Sequence, residues 1–195
     1  MLLGKTLLSR AAFAGFFLGT CCVKVSGSVL PMLCPLSVPS GLSGILDLRP
    51  SAEGYVLAGG NAAAMMVGNR TVVWPHLGVM VALPLPGARM LVAGQGFCSI
   101  ISSGGLETKI VPEGNFTSGD ILGDTAVVAG PTAACAVRNG AVLGRLELSG
   151  KTTNVYVHAW GGKLAVFSLR DGVFVWDGLR FSPAGPAHSC LIRTH

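Results

Sequence analysis

Six cysteines and four histidines are the residues of this chain best suited to chemistry. Cys21, Cys22, Cys34, Cys98, Cys135 and Cys190 are spaced 1, 12, 64, 37 and 55 apart, without a CxxC pair. His76, His158, His188 and His195 stand at no zinc spacing. Metal ligation therefore has no sequence support. Free cysteine is among the most buried residue types, so most of these thiols are expected inside a core. A disulfide framework belongs mainly to small secreted domains that lack one. No GxxxxGK[ST], GxGxxG opening a helix, HExxH or GxSxG occurs, which removes phosphate cradles, zincins and nucleophile elbows. The Gly pairs at 59–60, 104–105 and 161–162 read as turns. The expectation is no catalytic residue, no metal, no cofactor and no small-molecule substrate.

The elements that would carry a function follow from composition. Half of the 195 residues are apolar, 12% are charged and 28 are glycine. Disorder needs low hydrophobicity with high net charge, and long soluble helices need a charge-rich 3.5–3.6 period, so both are excluded. Apolar runs of four to seven residues between Gly and Pro predict many short strands. A chain of this length builds one domain with a core that needs no disulfide or metal. The net charge of +5 includes no basic run longer than two residues, which argues against a dedicated nucleic-acid module.

Lys5 and Arg10 precede thirteen uncharged residues, 11–23, with a small-residue site near Gly27. That is the form of a secretory signal, and the tripeptides Asn69-Arg70-Thr71 and Asn115-Phe116-Thr117 would suit secretion. Thirteen residues are too few to span a bilayer and no later run reaches eighteen, so no membrane span is expected. The same N-terminal stretch also fits a repeat unit. A cytoplasmic protein is the first expectation, and secretion with residues 1–27 removed the alternative.

An apolar segment, a turn pair and a second apolar segment recur five times: CCVKV-SG-SVLPML, AAMMV-GN-RTVVWP, CSIIS-SG-GLETKIVP, CAVR-NG-AVLGRLEL and AVFSLR-DG-VFVW. The second turn residues, Gly27, Asn69, Gly104, Gly140 and Gly172, are 42, 35, 36 and 32 apart. Asn-Gly, Asp-Gly and Ser-Gly between strand-like runs signal two-residue hairpins, whose positive φ Gly and Asn adopt cheaply. A further short apolar segment ending in small residues precedes each: FAG, YVLAG, MLVAG, AVVAG and YVHA. The units are 10–33, 55–75, 90–112, 126–148 and 155–178, with a tail at 179–195, in one repeat domain over 1–195. Residues 34–48 and 112–122 could each hold a short helix. AGPAHSCLIR (184–193) echoes AGPTAACAVR (129–138) and hints at a sixth, truncated unit.

These units resemble two families. RAAFAGFFLGTCCVKVSGSVLP, AGGNAAAMMVGNRTVVWPHL, IVPEGNFTSGDIL and VFSLRDGVFVWDG are similar to repeats of the translation initiation factor 6 family. The likeness covers about residues 10–178. It implies a pentein: an α/β ring of five quasi-equivalent strand-rich repeats, here with helices short or missing. VYVHAWGGKLAVFSLRDGVFVW looks instead like one blade of a PQQ-type repeat, and implies an all-β propeller as the alternative.

The first resemblance implies a non-enzymatic ribosome-associated factor that binds the large subunit, through protein or rRNA, and hinders subunit joining. Some pentein relatives modify guanidines with a Cys nucleophile, a His and carboxylates. Cys190, His158, Asp171 and Asp177 are the residues of those types here, and no motif places two acids beside a cysteine. In a ring, equivalent turns share a rim, so Arg70, Arg138 and Arg170, each within two residues of its turn, form the expected binding rim. The alternative function is a propeller-like protein-interaction scaffold, exported in one version. Open strand edges would also favour self-association.

Overall fold

A computed structural model describes residues 16–25, 28–37, 39–52, 54–110 and 114–185. The chain divides into two compact units, 1–40 and 41–195. The first contains the hairpin of β1 (Phe16–Val25) and β2 (Ser28–Ser37), antiparallel from Val25↔Ser28 to Phe16↔Ser37. Its expected turn residues, Ser26 and Gly27, lie outside the described residues, as does most of the signal-like stretch.

The second unit is four antiparallel meanders of four strands each. The first is β3 (Asp47–Pro50), β4 (Gly54–Gly59), β5 (Ala62–Val67) and β6 (Arg70–Pro75). The second is β7 (Val79–Leu85), β8 (Arg89–Gly94), β9 (Phe97–Ser102) and β10 (Gly105–Ile110). The third is β11 (Ser118–Leu122), β12 (Thr125–Ala129), β13 (Ala133–Arg138) and β14 (Ala141–Glu147). The fourth is β15 (Val155–Trp160), β16 (Lys163–Ser168), β17 (Gly172–Trp176) and β18 (Phe181–Gly185).

The sheets stack in chain order, with the first strands β3, β7, β11 and β15 beside one another. The middle strands are apolar on both faces, so each can be covered from two sides. Val56, Ala63, Met65, Val92 and Phe97 fill the first gap. Leu83, Leu91, Cys98, Cys135 and Phe116 fill the second, and Val127, Leu148, Val157, Leu164 and Trp176 the third.

Polar contacts finish the strands that face the neighbouring sheet. Ser118 Oγ and Asp120 Oδ2, two residues apart on β11 and so on one face, accept the Val157 and Ala159 backbone N–H groups of β15 at 3.0 and 2.8 Å. Arg49 on β3 donates to the Gly119 carbonyl at 3.1 Å and pairs with Asp47 and Asp120 at 2.9 and 3.5 Å. An unpaired strand edge would leave those backbone groups without partners, and side chains of adjacent sheets supply them.

A second recurring device is a glycine at or just after the end of the second strand in the first three blades, Gly59, Gly94 and Gly130. A Cβ at Gly94 would land on the Gly78 carbonyl oxygen, and one at Gly130 on that of Asn115. The "AG" endings seen in the sequence are thus places where the incoming loop passes directly over the backbone.

Three expectations are corrected. The α/β class fails, because no helix occurs among the described residues. Residues 34–48 run through β2 and an irregular stretch into β3, since Pro35, Pro39, Gly41 and Gly44 interrupt any helical turn. Residues 118–122 of the second expected helix are β11, paired along its length with β12. The pentein-like ring of five equivalent repeats is replaced by a hairpin and four four-stranded sheets. Three of the five hairpins join the third and fourth strands of a sheet, but the turn before Gly172 joins β16 to β17, a second and a third strand. The fifth unit is therefore one strand out of phase with the others.

Candidate functional site

The meander decides which turns share an end. Strand direction alternates, so the β5–β6, β9–β10 and β13–β14 turns lie at one end of their sheets, here the upper rim. At the other end, the lower rim, each outer strand leads into the next sheet. Gly78 N–H there donates to Gly60, Phe116 N–H to Gly94 and Leu148 N–H to Thr132.

Arg70, opening β6, and Arg138, closing β13, both lie on the upper rim. Arg138 is anchored by Asp124 at 3.3 Å and by the Thr125 hydroxyl at 3.0 Å. Arg170 is separated from them: it sits between β16 and β17, on the lower rim, beside Asp171. Asp171 accepts hydrogen bonds from the Ser168 hydroxyl at 2.7 Å and from Ser149 N–H at 3.1 Å. The phase shift of the fifth unit is what moves Arg170 to the other end.

The residue that spacing alone did not single out is Leu179. It stands 86% exposed at the tip of the β17–β18 turn, on the upper rim. One carboxylate holds that tip: Asp177 Oδ1 accepts both the Leu179 and the Arg180 N–H at 2.9 Å. These two backbone donors, Arg180's first, with the Arg180 charge and the Ser182 hydroxyl, hold the Asp177 carboxyl below the usual carboxylate range. An Asp directly after the last residue of a strand gives no periodic signal, and only the observed Asp-x-Leu-Arg turn shows its use.

The guanidine-chemistry residues do not converge. Asp171 and Asp177 lie at opposite ends of β17, His158 is exposed on β15, and Cys190 is outside the described residues. Cys98 and Cys135 are buried free thiols in the second gap. Burial, helped by the nearby Cys135, pushes the Cys98 thiol up to about 12. Burial also pushes Cys135 up to about 11, with Arg145 opposing and Glu147 adding. Among the described residues no three His, Cys, Asp or Glu are grouped to hold a metal ion.

Both thiols should therefore be inert in the folded protein. Each prefers its protonated form when folded, so that contribution is intact below the ordinary thiol value of about 8.5 and is lost as pH rises toward their folded values. At pH 8, alkylation followed by peptide mass mapping should leave both unmodified and should label both in denaturant. Labelling at equal rates in the two conditions would contradict the burial.

No protein-family profile and no characterised protein matches the sequence. Solved structures do match in shape. BamB from Moraxella catarrhalis is 11% identical with a TM-score of 0.57, over 71% of this chain and 47% of its own. The WD40 β-propeller domain of Doa1 is 11% identical at 0.57, over 76% and 55%. BBS1N, in complex with ARL6DN, is 19% identical at 0.52, over 80% and 59%.

The four sheets are blades of a β-propeller.

The chain spans about half the length of the structures it matches. The propeller likeness overturns the initiation factor 6 resemblance, and with it the pentein, anti-association and protein-biosynthesis reading: four-stranded blades without helices do not make pentein repeats. Binding to the large ribosomal subunit loses its basis with that family. The PQQ-like segment 155–176 is the one that pointed to this fold, and it forms the first three strands of the fourth blade. No helix among the described residues is long and apolar enough to cross a membrane.

On the lower rim, Asp171 gives a pH-dependent clamp between the third-to-fourth-blade loop and the fourth blade. Its partial burial works to raise the carboxyl, but the Ser168 and Ser149 hydrogen bonds and the Lys151 charge outweigh that and hold it low. A lowered folded value stabilises the fold above the unfolded value of ~3.9, and that gain disappears as pH falls through the folded value. Asp171→Asn should lower the melting temperature at pH 7, and the difference from the parent should shrink below pH ~4. A constant difference across that range would show that the ionised form plays no part.

Proposed function

We propose that this chain is a non-enzymatic scaffold that binds a protein partner through the upper rim of its blades. The observation that carries the reading is Leu179, a leucine almost fully in water yet fixed by two backbone hydrogen bonds to Asp177. A large apolar group exposed on a rigid turn costs solvation and gains nothing within the chain, while it pre-organises a contact for a partner. Arg70 and Arg138 flank the same rim and supply the polar surround expected of an interface. The similarity to BBS1N, solved in complex with ARL6DN, supports protein partnership.

The test compares what the parent chain, Leu179→Asp, Arg70→Glu/Arg138→Glu and the lower-rim control Arg170→Glu retain from an extract of the source cells. A protein held by the parent and the control, and lost from both upper-rim variants, supports the proposal and identifies the partner. Retention unaffected by the upper-rim changes, or dependent on Arg170, overturns it.

Export with removal of residues 1–27 is kept as the second reading of location. Asn69 and Asn115 are both exposed, as acceptor positions of a secreted protein would be. The N-terminal residue of the protein purified from its source, read by mass spectrometry, decides between a start at Met1 and one near Gly27.

A further inference from the structure

We propose that Cys98 and Cys135 are an inter-blade redox pair, which closes to a cystine joining the second and third blades when the chain folds in the presence of a small-molecule disulfide such as oxidised glutathione. This goes beyond partner binding at the rim and uses none of its residues.

Strand alternation sets the two free thiols on facing sides of one gap. On β9, Cys98 and Ile100 point toward the third blade, while Phe97 and Ile101 pack toward the first. On β13, Cys135 and Val137 point toward the second blade, while Ala134 and Ala136 pack toward the fourth. Both are third strands of their meanders, so the thiols also lie equally far from the inner strands. Their heights agree to within one residue. At equivalent lower-rim turns Phe97 pairs with Gly94 and the Ala133 carbonyl accepts from Gly130. Cys98 is the first residue beyond Phe97 and Cys135 the second beyond Ala133. Ala93, the cross-strand partner of Cys98, and Ala126 are small members of the same gap. The Cys98 thiol, raised first by burial, is raised again by Cys135, so the two lie within electrostatic reach. Sheets packed face to face are joined in this way in immunoglobulin-type sandwiches.

The chemistry is two successive thiol–disulfide exchanges. The thiolate of one cysteine attacks oxidised glutathione, which leaves a mixed disulfide and releases one glutathione. The second thiolate attacks the protein sulfur of that mixed disulfide and releases the other. The protein loses two electrons to the glutathione disulfide, and the two cysteine protons end on the two glutathione thiolates. Burial decides when this can occur. Only a thiolate attacks, and once the blades have packed, the apolar gap keeps both thiols protonated and excludes glutathione. The bond therefore forms while the two blades are still open, and packing then shields whichever form is present. A cystine is protected from reduction and a thiol pair from oxidation, so the chain retains the redox state in which it folded. Because the cysteines are 37 residues apart, the cross-link also restricts the unfolded chain and stabilises the fold.

Refolding the full 195-residue chain from denaturant in mixed oxidised and reduced glutathione is the test, read by tryptic mapping without reductant. Trypsin leaves Cys98 in fragment 90–109 and Cys135 in fragment 110–138. These fragments should be recovered as one species that separates on reduction, and the refolded protein should unfold at higher denaturant than the reduced chain. The same mixture added to the reduced, folded protein should link them at least ~10-fold more slowly, since linkage then waits for local opening. Oxidative refolding of Cys135→Ala should return Cys98 free rather than joined to another cysteine. Fragments left unlinked or in mixed pairings, a linked form less stable than the reduced one, or a link formed as readily in denaturant as during refolding would each overturn the pair. A folded chain that oxidises as fast as a refolding one would overturn the gating by burial.

Discussion

Phe116→Ala is expected to destabilise the folded chain by about 3–5 kcal/mol, the range for emptying a fully buried aromatic site. Phe116 lies in the loop between the second and third blades, yet its side chain is wholly buried in the gap that holds Leu83, Leu91, Cys98 and Cys135. Its N–H donates to the Gly94 carbonyl at 3.0 Å, and the Thr117 N–H beside it to Ala129 at 2.9 Å, so the loop backbone is pinned on both sides. With the ring removed, those hydrogen bonds hold the loop in place and prevent the gap from collapsing. Chemical denaturation of Phe116→Ala and Phe116→Leu checks this, with the leucine losing clearly less. A loss under ~1 kcal/mol for the alanine would mean that the loop refills the space.

Gly130→Ala should cost about 3 kcal/mol, the upper end of the usual overpacking penalty. The reason is geometric, since the added methyl meets the backbone carbonyl of Asn115 rather than a side chain able to rotate away. Gly130 also donates to the Ala133 carbonyl at 2.9 Å, so the backbone is fixed where it would need to move. Gly41→Ala is the useful contrast: a Cβ there meets nothing within 4 Å, although its φ of +105° carries a smaller conformational cost. If thermal melting ranks Gly41→Ala as the more damaging change, the close-approach argument for Gly130 is wrong. Because Asn115 and Phe116 adjoin, combining Gly130→Ala with Phe116→Ala should give less than the sum of the two losses.

The hairpins were legible in the residues because their signals are local. Gly68-Asn69, Ser103-Gly104 and Asn139-Gly140 lie between apolar runs, and each joins a third to a fourth strand. The buried thiols Cys98 and Cys135 were legible too, by residue type. What escaped was the first strand of the first three blades, whereas the YVHA segment falls within β15 of the fourth. Val79–Leu85 carries Pro84 and reads as a connection, yet it forms β7, because a strand with its outer edge free can hold a proline. Ser118–Leu122 has the small and polar content of a loop, and its backbone is completed by partners 39 residues away. Arg70 and Arg138 met on one rim because their turns are equivalent. Arg170 did not, because a one-strand shift of phase reverses which end a turn occupies.

By itself the sequence determined that the chain is strand-rich, built from hairpin repeats, and has an apolar interior reached through small residues. Those properties depend on a few adjacent residues and on the period of two. The tertiary structure alone decided that four strands make each sheet, that the sheets are propeller blades, and which turns share a rim. Such features rest on pairings between distant residues, such as Asp120 with Ala159 and Phe116 with Gly94, and no window of neighbouring residues contains them. The exposed side chains of Leu179 and Trp160 belong to the second kind as well. An apolar residue in a strand or turn looks the same in sequence whether its side chain faces the next blade or water, and only packing separates the two.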